Sequence, residues 1–459
     1  MNKTRMNPIL ATDSYKVSHW KQYPQGTRSV YSFLESRGGI FPETLFFGLQ
    51  YILKRYFVGQ VVTQADISEA REFFTAHFSS SEIFNEAGWQ RIVDEHGGCL
   101  PVRIKAVAEG LRIPTGNVLL TMENTDPQLP WLTNYLETLI LQVWYPTTVA
   151  TQSYYMKKII REFLEETGSP ELIDFKLHDF GYRGSTSDES AGIGGAAHLV
   201  NFKGSDTLAG ILVARDYYSE AMAGFSIPAA EHSTITAWGK SNERAAYENM
   251  LDQFPAGLVA VVSDSYDIFN ACQNIWGQAL HDKILERDGV LVVRPDSGDP
   301  TEVLPKMFSI LGDAFGSEIN AKGYKLLNPK VRVIQGDGID RETLRPILLA
   351  LKNNGWSADN IAFGSGGGLL QKVNRDTSKF AIKCSEVEVD GERRQVMKDP
   401  ITDPEKRSKA GRMKLLMNAG RYETVAENVP GEDQLRVVFE NGQLMREYSF
   451  EDIRLRADK

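Results

Sequence analysis

Cysteine is nearly absent: three residues among 459, Cys99, Cys272 and Cys384, far apart and without Cys-x-x-Cys spacing. That excludes a disulfide framework and a thiolate zinc site, and it fits a reducing compartment. No run of about 18 apolar residues occurs, so no membrane-spanning helix is expected. The opening residues Met1-Asn-Lys-Thr-Arg-Met-Asn-Pro-Ile-Leu lack the apolar core of a signal peptide. Low-complexity tracts, long repeats and Pro/Gly/Ser linkers are missing too. A positive surplus is also lacking: 51 Lys+Arg stand against 60 Asp+Glu, a net charge of −9. Nucleic acid and anionic membranes need a basic face, so neither is expected as a partner. The expectation is a soluble cytoplasmic protein.

What is present is an ordinary globular composition, 42% hydrophobic and 24% charged. At roughly 150 residues per domain the length suggests two or three domains, although a barrel absorbs about 250 alone. The rhythm changes near residue 175. From there short β-rich runs end in Asp, Gly or Arg and precede helical patterns. The runs begin at Phe175, Leu199, Leu258, Val290, Val331 and Asn360. Between them Tyr266 to Leu280, Pro300 to Leu311 and Arg341 to Asn353 carry helical periodicity. This predicts an α/β fold: an irregular TIM-like α/β barrel over residues 166–384. Residues 1–165 and 385–459, mixing strands and helices, are expected to pack together as one α+β domain.

Barrel chemistry collects where strands end. Ser263-Asp-Ser-Tyr-Asp267, Arg294-Pro-Asp-Ser-Gly298 and Gly336-Asp-Gly338 each follow an apolar run, which sets Asp264, Asp296 and Asp337 on one rim. A single Asp there is commonly an N-cap. Three converging carboxylates repel unless a cation joins them, and Mg²⁺ carrying a polyphosphate answers that need. Gly364-Ser-Gly-Gly-Gly368, between a buried strand and a helix, reads as a phosphate loop against the alternative of a flexible linker. The segment Lys398 to Lys414 holds six basic and three acidic residues, fitting either a solvated face or a polyphosphate site. Lys372, Arg375 and Lys383 add charge beside the glycine loop. His178, inside its strand, reads as a satisfied core histidine. His232, after a strand-like Gly224-Phe-Ser-Ile, reads as an acid, base or phosphate acceptor on the rim.

Six segments resemble the nicotinamide phosphoribosyltransferase family, in order from about residue 7 to Ile453. They are Ala11 to Pro24, Leu177-His-Asp-Phe-Gly-Tyr-Arg-Gly184, His198 to Asp206, Glu231-His-Ser-Thr-Ile-Thr-Ala-Trp-Gly239, Arg294 to Gly298 and the glycine loop. The resemblance implies a type II phosphoribosyltransferase fold and a homodimer with interfacial sites. It implies the entry step of NAD salvage: nicotinamide plus 5-phosphoribosyl 1-diphosphate giving nicotinamide mononucleotide and diphosphate, with ATP as a coupling substrate.

The same resemblance implies roles. Phe180 and the other subunit's Tyr15 sandwich the pyridine ring. Asp206 accepts from the carboxamide NH₂, Arg294 lies near its oxygen, and Arg183 holds the ribose phosphate side. Asp264, Asp296 and Asp337 surround the ribose and Mg²⁺-diphosphate, with Asp264 and Asp296 reaching the metal through diphosphate and water. Gly336, Gly366, Gly367 and Arg375 take the 5′-phosphate; Arg37, Lys383, Lys398 and Lys406 take diphosphate. His232 matches the histidine phosphorylated by ATP. Departures are a short Arg37 to Phe47 segment, and Ala260 and Ala381 where animal members carry serine. The competing readings are a nicotinate phosphoribosyltransferase and a non-catalytic phosphosugar-binding or signalling protein.

Overall fold

A computed structural model describes residues 6–398 and 408–459. The chain forms two compact units, one of residues 1–151, 216–220 and 374–459, the other of 152–215 and 221–373. Both chain ends therefore lie in one unit. The expected boundary after residue 165 falls inside the helix α1 (Trp144–Thr167), and that after residue 384 falls inside the strand Phe380–Val389. The chain passes between units at 151/152, 215/216, 220/221 and 373/374.

The first unit is built on a seven-stranded antiparallel sheet whose long central strands are Thr27–Ser36, Val118–Asn124 and Phe380–Val389. The register sets Phe33 opposite Lys383 and Glu35 opposite Ala381, so a C-terminal strand completes a sheet begun near the N-terminus.

The second unit is a curled parallel sheet. Its strands are β1 (Leu177–Asp179), β2 (Gly204–Ser205), β3 (Ala256–Val262), β4 (Asp288–Arg294), β5 (Val331–Gln335) and β6 (Ile361–Ser365), ordered β2-β1-β6-β5-β4-β3. Strands covered on both faces read as continuous apolar runs, as the buried Val259-Ala-Val-Val262 does, whereas Leu258 is 49% exposed. One face buries Val259, Val261, Val293 and Val333 completely, and the helices α4 (Pro300–Phe315) and α5 (Leu344–Asn353) bury Leu304, Phe308, Leu344 and Leu348. Each such side chain contributes about 1.5–3 kcal/mol. On the other face Ala260, Val292 and Ile334 cluster with Phe180, Ile227 and Ala362. Two alanines in this layer are too short to fill a barrel interior. A cavity of about 1300 Å³ remains, lined by both of them.

Three local expectations are corrected. The run from Leu199 to Gly204 is not a strand: Leu199 ends helix α2 (Asp188–Leu199), and only Gly204 and Ser205 pair. Tertiary packing decides this, because α2 carries Gly195 in close contact with Gly210, where a Cβ would stand 2.6 Å from the Gly195 carbonyl carbon. Tyr266 to Leu280 is not a regular helix but a short turn, Ile268–Asn270, continued as a π-helix over Ala271–Ala279. Its wide turns carry Trp276, which stacks on Tyr247 at 4.5 Å and donates to Ser263 Oγ at 3.1 Å. Before His232 the strand-like Gly224-Phe-Ser-Ile makes only an isolated bridge at Phe225, and His232 opens the one-turn helix α3 (His232–Thr236).

Candidate active site

The carboxyl ends of the parallel strands separate two kinds of aspartate. Asp267, Asp299 and Asp340 accept backbone N–H groups two or three residues ahead and so serve as turn or cap residues. Asp264 and Asp296 do something else. Asp264, after β3, accepts from the Asp296 N–H at 3.0 Å and the Ser297 hydroxyl at 2.5 Å, and meets His232 Nε2 at 3.2 Å. Asp296, after β4, accepts from Arg294 Nη2 at 3.0 Å on both carboxylate oxygens, with His232 Nδ1 3.9 Å from Oδ2. His232, Asp264 and Asp296 thus form one charged cluster, and Asp296 and Asp337 both line the cavity.

Inside the cavity β1 and the residues flanking it supply side chains two residues apart, Lys176, His178 and Phe180, all on one side of the chain. The Phe180 ring lies across the glycines of the neighbouring strands: a Cβ on Gly364 would stand 1.8 Å from Phe180 Cε2. The Arg294 guanidinium sits 5.6 Å from the ring centroid and the His178 ring 5.1 Å away. His178 Nε2 meets Asp206 Oδ1 at 2.9 Å, and the Ser226 hydroxyl donates to the same oxygen. Burial would raise the Asp206 carboxyl, but His178, Ser226 and Arg294 outweigh it and hold it below the usual carboxylate range. An ionised acceptor therefore stands beside an aromatic face and a guanidinium.

His178 is a correction: it faces the cavity and orients Asp206 instead of sitting satisfied in the core. Ser226 and Lys372 also belong to the lining. The signal that could have found His178 is strand alternation, which places it on the same side as Phe180.

Farther along the rim two glycine-bearing loops are fastened together. Ser365 Oγ donates to Ile339 O at 2.6 Å, and Lys372 pairs with Asp340 at 2.9 Å. Buried Gln152 of α1 donates to the carbonyls of Gly368 and Leu369 in α6 (Gly367–Leu370), at 2.8 and 3.0 Å. Gly336, Asp337, Gly366, Gly367 and exposed Arg183 line the cavity here. Arg183 makes no ion pair among the described residues. Backbone amides, an unpaired guanidinium and an ammonium suit a phosphate. At the other end of the cavity Lys176 Nζ donates to the carbonyls of Ala358, Asp359 and Ile361 at 2.9–3.0 Å, and burial lowers it to about 7.

The remaining predicted residues belong to the other unit. Tyr15 is 61% exposed in the turn Ser14–Lys21. The Arg37 N–H donates to Lys379 O at 3.2 Å, and its guanidinium lies 3.6 Å from Glu35. Lys383 is in the strand Phe380–Val389, and Arg375 opens the turn Arg375–Thr377. Lys398 pairs through its backbone with Ser408, while Lys406 lies outside the described residues.

Among the described residues no group of three His, Cys, Asp or Glu side chains is arranged to hold a metal ion. Asp296 presents a carboxylate to the cavity, with the Asp264 carboxylate buried behind it, which fits a Mg²⁺ ion carried mainly by phosphate and water rather than by a protein cage. No helix among the described residues is long and apolar enough to cross a membrane.

Residues 175–443 match the nicotinate phosphoribosyltransferase (NAPRTase) family, and residues 7–104 match the nicotinamide phosphoribosyltransferase N-terminal domain. The chain is 53% identical to the nicotinamide phosphoribosyltransferase of Xanthomonas campestris pv. campestris (strain 8004), with 98% of each chain covered. It is 30% identical to the protein of that name from Acinetobacter baylyi, covering 98% of this chain and 97% of the other. The fold is similar to nicotinate-nucleotide pyrophosphorylase from Pyrococcus furiosus, with TM-score 0.62 and 16% identity over 100% and 96% of the two chains. It is similar also to human nicotinic acid phosphoribosyltransferase, with TM-score 0.58 and 18% identity over 98% and 93%. By these matches the chain belongs to the nicotinate phosphoribosyltransferase (NAPRTase) family and, within it, groups with the nicotinamide phosphoribosyltransferases.

Proposed function

We propose that this protein joins nicotinamide to the ribose of 5-phosphoribosyl 1-diphosphate, yielding nicotinamide mononucleotide and diphosphate, a step of NAD salvage. The observation that carries the reading is the meeting of Phe180, Arg294 and an ionised Asp206 in one cavity. The Phe180 face takes the pyridine ring, Asp206 accepts from the carboxamide NH₂, and Arg294 donates to its oxygen. The ring nitrogen attacks C1 of the ribose while the C1–diphosphate bond breaks, so positive charge grows at C1 and no proton has to be removed. The Asp296 carboxylate, backed by that of Asp264, offsets that charge. Gly336, Asp337, Gly366, Gly367 and Arg183 fix the phosphosugar.

Arg37, Lys383, Lys398 and Lys406 are proposed for the diphosphate, and a second copy of the chain supplies Tyr15 to the ring in a homodimer. Bound Mg²⁺ supplies charge neutralisation of the leaving diphosphate near Asp264 and Asp296. A ring nitrogen of His232 takes the γ-phosphoryl group of ATP as the bond to ADP breaks, and water then cleaves the P–N bond to give inorganic phosphate, coupling hydrolysis to turnover. Its support is an exposed ring held by Asp264 at Nε2. The test is purified protein with nicotinamide, the phosphoribosyl donor and Mg²⁺. Equal amounts of diphosphate and nicotinamide mononucleotide are expected, and undetectable diphosphate release would return the protein to phosphosugar binding without catalysis.

A further inference from the structure

Asp179 is the last residue of β1, directly before Phe180, and its side chain points away from the cavity. It is 0% exposed, under Gly195 of α2, where a Cβ would lie 3.4 Å from Asp179 Oδ2. One oxygen is used: Oδ1 accepts the Gly181 N–H at 2.7 Å. The other, Oδ2, has no hydrogen bond of acceptable geometry, although the Thr207 hydroxyl is near enough to favour its charge. A buried carboxylate with half its acceptor capacity unused is costly, and such departures from good packing practice tend to mark functional positions.

The bond it makes has a specific consequence. Phe180 lies between the acceptor and the donor of that contact, and the Phe180 N–H is held separately by Ser365 O at 2.9 Å. Gly181 then starts the turn Tyr182–Gly184, closed by the Gly184 N–H on Gly181 O at 3.1 Å, which carries Arg183. The Asp179 carbonyl also accepts the Asp206 N–H at 2.9 Å. Strand end, ring and the Asp206 backbone are therefore tied to this one residue, while the turn that carries Arg183 is closed by its own Gly184–Gly181 bond.

We infer that Asp179 is a positioning residue for base binding: its carboxylate holds Gly181 so that the Phe180 ring is presented to the cavity. The inference rests on the nicotinamide reading above. Nothing in it requires the charge, since an asparagine Oδ1 accepts the same N–H and its NH₂ faces the Thr207 hydroxyl.

The test is steady-state kinetics of D179A, D179S and D179N with each substrate varied in turn. In D179A the KM for nicotinamide should rise about tenfold, the scale of one lost buried hydrogen bond. The KM for the phosphoribosyl donor should stay within about twofold, D179S should fall between, and D179N should return nicotinamide KM to near the wild-type value. If D179A does not fold, D179S against D179N decides. An unchanged nicotinamide KM, an equal rise in both KM values, or a D179N as defective as the alanine variant would overturn the inference. Should the wild-type protein use nicotinate and not nicotinamide, the function reading fails, and the same comparison made with nicotinate still decides the role of Asp179.

Discussion

Replacing Asp206 by asparagine isolates the charge that separates an amide from an acid. In the structure this carboxylate is ionised and has two donors on one oxygen, His178 Nε2 at 2.9 Å and the Ser226 hydroxyl. Both remain usable with an asparagine Oδ1, so the pocket geometry is conserved while the negative charge goes. A nicotinate carboxylate in place of the carboxamide would stand about 4 Å from Asp206, where two like charges repel by about 4 kcal/mol at an effective dielectric of 20 and about 1 kcal/mol in water. The Asp206 side chain is 46% exposed. An intermediate value of about 2 kcal/mol is therefore appropriate, a factor of about thirty. D206N should shift the ratio of kcat/KM for nicotinamide to that for nicotinate by about thirtyfold toward nicotinate, mostly by admitting nicotinate. The assay is initial-rate kinetics with each base at saturating phosphoribosyl donor. A ratio within about threefold of wild type would refute the assignment of Asp206 as the discriminating charge.

Three further outcomes follow from the same geometry. H232A should lose ATP stimulation of synthesis while slower ATP-independent synthesis persists, measured as product formed with and without ATP; stimulation in the variant would remove His232 as phosphoryl acceptor. G364A puts a Cβ 1.8 Å from Phe180 Cε2, so it should raise nicotinamide KM about tenfold or more and cost about 1–3 kcal/mol of stability by overpacking, read by kinetics and thermal melting together. D179N should stabilise the fold at high pH only: burial raises the Asp179 carboxyl from 3.8 to about 6, so ionising it in the fold costs up to about 3 kcal/mol. That cost is absent below the unfolded pKa and complete above about 6, where the folded group has ionised against the neighbouring Asp206 and with His178. Melting of D179N against wild type should show a gain of several degrees at pH 8 that shrinks as pH falls through 6, and groups such as Lys176 that titrate in both proteins cancel in the difference. An equal gain at pH 5 would contradict the buried-charge account.

Much of the barrel was legible because parallel strands buried on both faces must be continuous apolar runs, and Leu258, Val290, Val331 and Asn360 each begin or border one. The Asp and Gly residues at their ends were legible for the same reason. What stayed hidden depends on contacts distant in sequence. Leu199 to Gly204 has strand composition, but close packing of Gly195 on Gly210 keeps Leu199 helical. The residues Asp216 to Glu220 join the unit of the chain ends without any local signal. His178 was underrated because a histidine in an apolar strand usually finds a core partner; here the alanines at 260 and 362 leave the barrel interior open, and the imidazole meets Asp206 just past the neighbouring strand β2. Asp179 carried no signal at all, since its burial depends on glycine in a helix that follows it.

The most direct test of the central claim is a competition in one vessel: equimolar nicotinamide and nicotinate with limiting phosphoribosyl donor and Mg²⁺, the two mononucleotide products resolved by mass. Predominant nicotinamide mononucleotide is the outcome that the ionised Asp206 beside Phe180 and Arg294 predicts; predominant nicotinate mononucleotide would contradict it.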